Sequence, residues 1–236
     1  MINLLHELKA INSDRYGPKA ANLGELMSFD IPVPEGFVFS DPSPAGYLDA
    51  GLLYYNTMHA KVAVRSSGIA EDSADASFAG IHDTFLDVEG VDEVRFAIAK
   101  CFASVDSELA QAYRKMHNVT NKRISVIVQN MIPAEYSGVM FTKNPVTNNA
   151  NQVMIESVKG TGESLVSGSE TPENYLYDKN GTALKTPNDS MLHSVHLNSL
   201  LDLGLKIEDH YKAPQDIEFS IHKGRVYILQ TRPVTT

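Results

Sequence analysis

A single cysteine, no tryptophan and a deficit of positive charge set the first limits on this 236-residue chain. Cys101 stands alone, so no intramolecular disulfide and no CxxC metal or redox pair can form. Its place in an apolar helical pattern reads as a buried, inert thiol. Lys plus Arg number 20 against 29 Asp plus Glu, a formal net charge of −9. Nucleic-acid grooves carry a basic surplus, so any phosphate site here must be a local cluster in an acidic body. No apolar run reaches the roughly 18–20 residues of a membrane helix. The N-terminus lacks the basic region and long apolar core of a signal peptide, and the expected compartment is the cytosol. The Asn-x-Ser/Thr matches at Asn118, Asn180 and Asn188 are then incidental. Also missing are a Walker-type GxxxxGK[ST], a GxGxxG after a strand, and HExxH.

What is present is an ordinary globular composition, 43% hydrophobic and 21% charged, with a length that suits one large domain or two small lobes. Lys19–Met27 reads as a short helix with Gly17-Pro18 at its entrance, and Lys61–Arg65 as a buried strand running into a polar turn, Ser66-Ser67-Gly68. Phe85–Val88 follows as a strand. Apolar residues from Val94 to Leu109, Tyr113 and Met116 recur at three and four, which predicts one helix from Asp92 to about Met116. Short strand-like runs then start at Ile124, Gly138, Gln152 and Tyr175, with a helix near Leu197–Tyr211. The expected division is an α/β lobe over residues 1–120 and a sheet-rich lobe over 121–236.

The C-terminal hairpin is the most informative element. Asp216–Ile221 and Val226–Arg232 flank His222-Lys-Gly-Arg225. A three-residue loop centred on Gly224 sets Ile217, Phe219 and Ile221 opposite Thr231, Leu229 and Tyr227, one apolar face. A two-residue loop would mix the faces. The other face then pairs Asp216 with Arg232 and Glu218 with Gln230. Directly opposed Cβ atoms lie about 4.5–5.5 Å apart, close enough for Glu218 and Gln230 to share one cation. Two hard oxygen donors suit Mg²⁺, which takes its remaining ligands from water and phosphates. On the hairpin alone, a solvated polar face explains the pair better.

Other candidates carry the same double reading. Arg65 ends a buried strand beside small hydroxyl residues and suits bidentate phosphate binding, or else pairs with Glu71 or Asp72. Lys19 at a helix entrance is either a point charge for phosphate or a solvated lysine. Ala76–Phe85, with Gly80 and Thr84, is a flap over a ligand or a plain turn. His193-x-x-His196 reads as solvated surface.

Taken in order, the motifs form a recognisable series. They are Gly17-Pro-Lys-Ala-Ala-Asn-Leu-Gly-Glu25, Ile31-Pro-Val-Pro-Glu-Gly-Phe37, Val62-Ala-Val-Arg-Ser-Ser67, Ala70-Glu-Asp72 and Ala76-Ser-Phe-Ala-Gly80. Val128-Gln129-Asn-Met131, Ser137-Gly-Val-Met-Phe-Thr142, Gly162-Glu163, Gln215-Asp-Ile-Glu218 and Ile228-Leu-Gln-Thr-Arg-Pro233 complete it. The series closely resembles the nucleotide-binding domain of the phosphoenolpyruvate synthase, pyruvate phosphate dikinase and rifampicin phosphotransferase family. The resemblance implies an α/β, ATP-grasp-like fold whose two lobes clasp ATP in the cleft between them, and it favours the metal reading of the hairpin. It also implies that Lys19, Arg65 and Arg232 contact ATP phosphates and that Gly80 and Thr84 belong to a flap. Gln129 would lie where the adenine is held, and Glu218 and Gln230 would bind Mg²⁺.

Family members typically convert ATP to AMP and pass the β-phosphoryl to a histidine on a separate swivelling domain. None of the eight histidines stands in a Gly-Gly-Thr…Cys-His-like context, and His82-Asp83 and Lys159 depart from the usual pattern. The resemblance therefore implies an ATP- and Mg²⁺-dependent phosphotransferase module acting on a separate acceptor, a partner-chain histidine or a small molecule. The alternative is a catalytically silent ATP-binding sensor or assembly subunit.

Overall fold

The computed structural model of the protein describes residues 2–40, 45–58, 61–69, 83–162, 168 and 170–234. The chain divides into two compact units, Met1–Phe29 with Pro34–Met131, and Asp30–Val33 with Ile132–Thr236.

The first unit is built on an antiparallel sheet of order β1-β2-β5-β3-β4. Its strands are β1 (Ile2–Leu4), β2 (Gly36–Phe39), β3 (Lys61–Gly68), β4 (Thr84–Glu89) and β5 (Ile124–Asn130). Side chains alternate between faces. Phe37, Phe39, Val62, Val64, Val126 and Val128 form one core with Leu52 and Tyr55 of α2 (Ala45–Tyr55) and Val94, Ile98 and Cys101 of α3 (Val91–Ala103). The other face receives α1 (Ser13–Met27), where the Ser125 hydroxyl donates to the Tyr16 carbonyl and the Ala20 N–H donates to Ser67 Oγ at 3.4 Å.

Several sequence expectations change here. The strand from Ile124, expected in the second lobe, is the middle strand of the first sheet, because its run of buried residues is covered on both faces. Ser66-Ser67-Gly68 is no turn: β3 continues and pairs through Gly68 with Ile124. The predicted helix over 92–116 is interrupted at Ser104–Ser107. Ser107 is extended and caps a new helix, α4 (Glu108–Met116), by accepting the Ala110 N–H at 3.2 Å. That re-phasing turns Leu109 and Met116, expected in the apolar stripe, outward to 58% and 72% exposure.

The second unit holds a sheet of order β11-β10-β6-β7-β8-β9, again antiparallel. Its strands are β6 (Tyr136–Phe141), β7 (Gln152–Lys159), β8 (Glu173–Asp178), β9 (Ala183–Lys185), β10 (Gln215–His222) and β11 (Arg225–Pro233). The helix α5 (Ser194–Tyr211) buries Leu197, Leu200, Leu201 and Ile207 against one face. Gly204 lets it settle on Met140, whose Cε would lie 2.5 Å from a Cβ at that position. Met140, Ile155, Tyr175, Ile217 and Phe219 share this buried face.

The hairpin β10–β11 closes differently from the expectation. Its loop has two residues, Lys223 and Gly224, both at positive φ (48° and 75°), as a type I′ turn requires. Phe219 therefore opposes Ile228 and Ile221 opposes Val226, not Leu229 and Tyr227. A bulge at Leu229 absorbs one residue and restores the expected register beyond it, with Ile217 opposite Thr231. The bulge thus removes the mixing of faces that a two-residue loop would otherwise cause. No described helix is long and apolar enough to cross a membrane.

Candidate nucleotide site

In the first unit the candidates converge on the α1 face of the sheet. Arg65 on β3 is directly opposite Thr84 on β4 and Ile127 on β5. Gln129, two residues along β5, is opposite Ala63 and so shares that face. Its side chain is buried and donates from Nε2 to the Pro34 carbonyl at 3.0 Å, fastening the segment before β2 to β5. Lys19 lies in the first turn after Pro18, one residue before the Ala20 N–H that reaches Ser67 at the far end of β3. Gly17 makes this approach possible with a non-helical φ of 77° that breaks α1 ahead of Pro18. The Ser66 hydroxyl donates to the Asp83 carbonyl at 3.0 Å, which ties the segment entering β4 to β3. Gly80, His82, Glu71, Asp72 and Glu163 lie outside the described residues.

On the far side of the sheet, Cys101 Sγ sits 3.5 Å from the Asp83 carbonyl and 3.8 Å from that of Val64. Burial, and then the Asp83 charge, push its thiol up to about 12. It is the inert core thiol that the sequence suggested.

In the second unit, the face away from α5 carries the hairpin candidates. Glu218 is directly opposite Gln230, and Asp216 opposite Arg232. Gln230 is only 8% exposed and Glu218 is half-buried. The Arg232 Nε donates to Asp216 Oδ2 at 2.8 Å, and a terminal guanidinium nitrogen lies 2.7 Å from the same oxygen. The Glu218 row continues through Val139 on β6 to Glu156 on β7 and Asn174 on β8. Glu156 and Asn174 had no role in the sequence reading. Their signal was the alternation that buries Val153 and Ile155 and sends Glu156 to the opposite face.

Among the described residues, no group of three or more His, Cys, Asp and Glu is placed to hold a metal. An all-protein cage is thus absent there. A carboxylate opposed to an amide is instead the sparse oxygen set that Mg²⁺ accepts alongside water and phosphate. His193 is exposed, as expected, but His196 is only 6% exposed, packs beside Tyr136, and has its pKa lowered by burial and by His193.

The family model for the pyruvate phosphate dikinase AMP/ATP-binding domain matches residues 46–190 and 185–236. The chain belongs to this family. A probable phosphoenolpyruvate synthase of Archaeoglobus fulgidus is 34% identical over 93% of this chain and 40% of its own length. The rifampicin phosphotransferase of Bacillus cereus is 34% identical over the whole chain and 29% of its own. This member of the dikinase AMP/ATP-binding family therefore spans well under half the length of those relatives. Solved structures agree on an ATP-grasp-type fold. The acetyl-coenzyme A synthetase 1 of Ca. Korarchaeum cryptofilum superposes with a TM-score of 0.55 at 9% identity, over 92% of both chains. The D-alanyl-alanine synthetase A of Vibrio cholerae gives 0.52 at 14% identity, over 94% of this chain and 55% of that one.

Proposed function

We propose that this chain is the ATP-binding module of a cytoplasmic, Mg²⁺-dependent phosphotransferase that delivers a phosphoryl group to a separate acceptor. The observation that carries the reading is the direct opposition of Glu218 and Gln230 on β10 and β11, within a chain of the AMP/ATP-binding family. The carboxylate and the amide oxygen would hold Mg²⁺, which when bound neutralises phosphate charge and orients the triphosphate. Lys19, Arg65 and Arg232 supply the cations that bind phosphate oxygens, the two arginines through planar forks and the lysine as a point charge. Thr84, on β4 opposite Arg65, would stand beside the phosphates, and Gln129 on the adenine side. Phosphoryl transfer is catalysed mainly by such positioning and charge neutralisation, so a module of this kind needs no nucleophile of its own.

The acceptor is a histidine on a partner protein or a small molecule, and the products distinguish them. The chain is incubated with ATP and Mg²⁺, with and without candidate partners, and AMP, ADP and phosphate are quantified. AMP and phosphate that depend on a histidine-bearing partner identify a dikinase component. ADP with a phosphorylated metabolite identifies a direct kinase. ATP-dependent thermal stabilisation without turnover under every condition removes the transferase reading and leaves a nucleotide sensor.

A further inference from the structure

We infer that Asp216 is a positioning residue for Arg232, holding its guanidinium in the orientation from which it meets the phosphates of bound ATP; this rests on the reading of the site just given. The pair is set by register, since Asp216 and Arg232 are directly opposed on β10 and β11. Two donor atoms of Arg232, Nε and a terminal nitrogen, approach the single oxygen Oδ2 at 2.8 and 2.7 Å. The Asp216 side chain is 11% exposed and that of Arg232 28%, so solvent does little to loosen the contact.

The backbone beneath the pair is clamped from the opposite face. Gln215 and Thr231, the residues just before Asp216 and Arg232, join through Thr231 Oγ1 donating to Gln215 Oε1 at 2.9 Å. The Gln215 N–H donates to Thr142 Oγ1 at 2.8 Å, and the Thr142 N–H returns to the Gln215 carbonyl at 2.9 Å. Gln215 Nε2 donates to the Ala213 carbonyl at 2.9 Å. An ion pair on one face and a buried amide–hydroxyl network on the other leave the Arg232 side chain little to search. The pair is also on the same face as Glu218, two residues along β10.

A carboxylate this close reduces the net charge that Arg232 offers to an anion, so the arrangement is a poor way to attract phosphate but a good way to aim at it. The inference therefore predicts a loss specific to phosphate recognition and transmitted only through Arg232.

The test is calorimetric titration of the whole chain with Mg²⁺ and adenylyl imidodiphosphate, and separately with adenosine. Wild type, Asp216→Ala, Asp216→Asn, Arg232→Ala and the Asp216→Ala/Arg232→Ala double variant are compared, each checked by thermal melting. Asp216→Ala should weaken the triphosphate analogue about 10- to 100-fold and leave adenosine unchanged. The isosteric Asp216→Asn should fall between it and wild type, and it carries the same comparison if the alanine variant does not fold. In the Arg232→Ala background, removing Asp216 should cost nothing further. Equal losses for both ligands, or losses that add in the double variant, overturn the inference and make Asp216 a merely structural residue. A wild-type chain that binds neither ligand overturns the nucleotide reading itself, and the inference with it.

Discussion

Gly17 and Ser67 approach so closely that a Cβ on the glycine would lie 2.8 Å from the serine carbonyl oxygen. The same Cβ would lie 2.9 Å from the Gly68 carbonyl, and the glycine φ is 77°. Gly17→Ala therefore meets backbone atoms that cannot swing aside, in a conformation that L residues avoid. We expect a loss of roughly 2–4 kcal/mol, read as a melting temperature lowered by roughly 5–15 °C. Because Lys19 hangs on this junction, nucleotide affinity should fall as well, in titrations below the melting range.

Cys101 provides a probe of the first unit's core. With the thiol raised to about 12 by burial and the Asp83 charge, almost no thiolate is present at pH 8. Alkylation of the native protein should be at least about a hundredfold slower than in denaturant. Linkage fixes the sign above neutrality. The unfolded thiol ionises near 8.5 while the folded one keeps its proton, so its contribution is complete below that pH and is lost as pH rises toward about 12. Chemical denaturation from pH 7 to 9 should show that decline, and Cys101→Ala should make it shallower.

His196 sets a dependence at the acid end. Burial and the neighbouring His193 lower its pKa, against an opposing pull from Glu135. The unfolded imidazole takes up a proton near pH 6.5 while the folded one resists. Stability contributed by the neutral ring is therefore full above that pH and declines as pH falls through it to the lowered folded value. Urea melts between pH 8 and 5 should show the decline for wild type and a shallower one for His196→Gln.

The hairpin shows how far residue patterns reach. Alternation in Asp216–Ile221 gave the Glu218–Gln230 and Asp216–Arg232 pairings, because register is strongly specified where one face is buried. It gave the wrong pairing nearer the turn, since a bulge at Leu229 adds one residue without changing composition. Periodicity likewise ran through Ser104–Ser107, where a serine cap rather than a proline or glycine restarts the helix. Ile124–Asn130 was drawn to the wrong unit because sequence order favours neighbours, whereas this strand inserts between β2 and β3. The burial of His196 was hidden by its polar neighbours, and only packing beside Tyr136 reveals it. Arg65 and Thr84, nineteen positions apart by number, were candidates for separate reasons, and their direct opposition became visible only with the β3–β4 pairing.

The most direct test of the account is the Mg²⁺ dependence of ATP affinity in wild type and in Glu218→Gln, measured by calorimetry on proteins of matched melting temperature. Mg²⁺ should tighten ATP binding to wild type, and Glu218→Gln should abolish most of this gain while retaining the metal-independent affinity. A variant whose affinity responds to Mg²⁺ as wild type does would contradict the assignment of the β10–β11 hairpin as the metal-binding element.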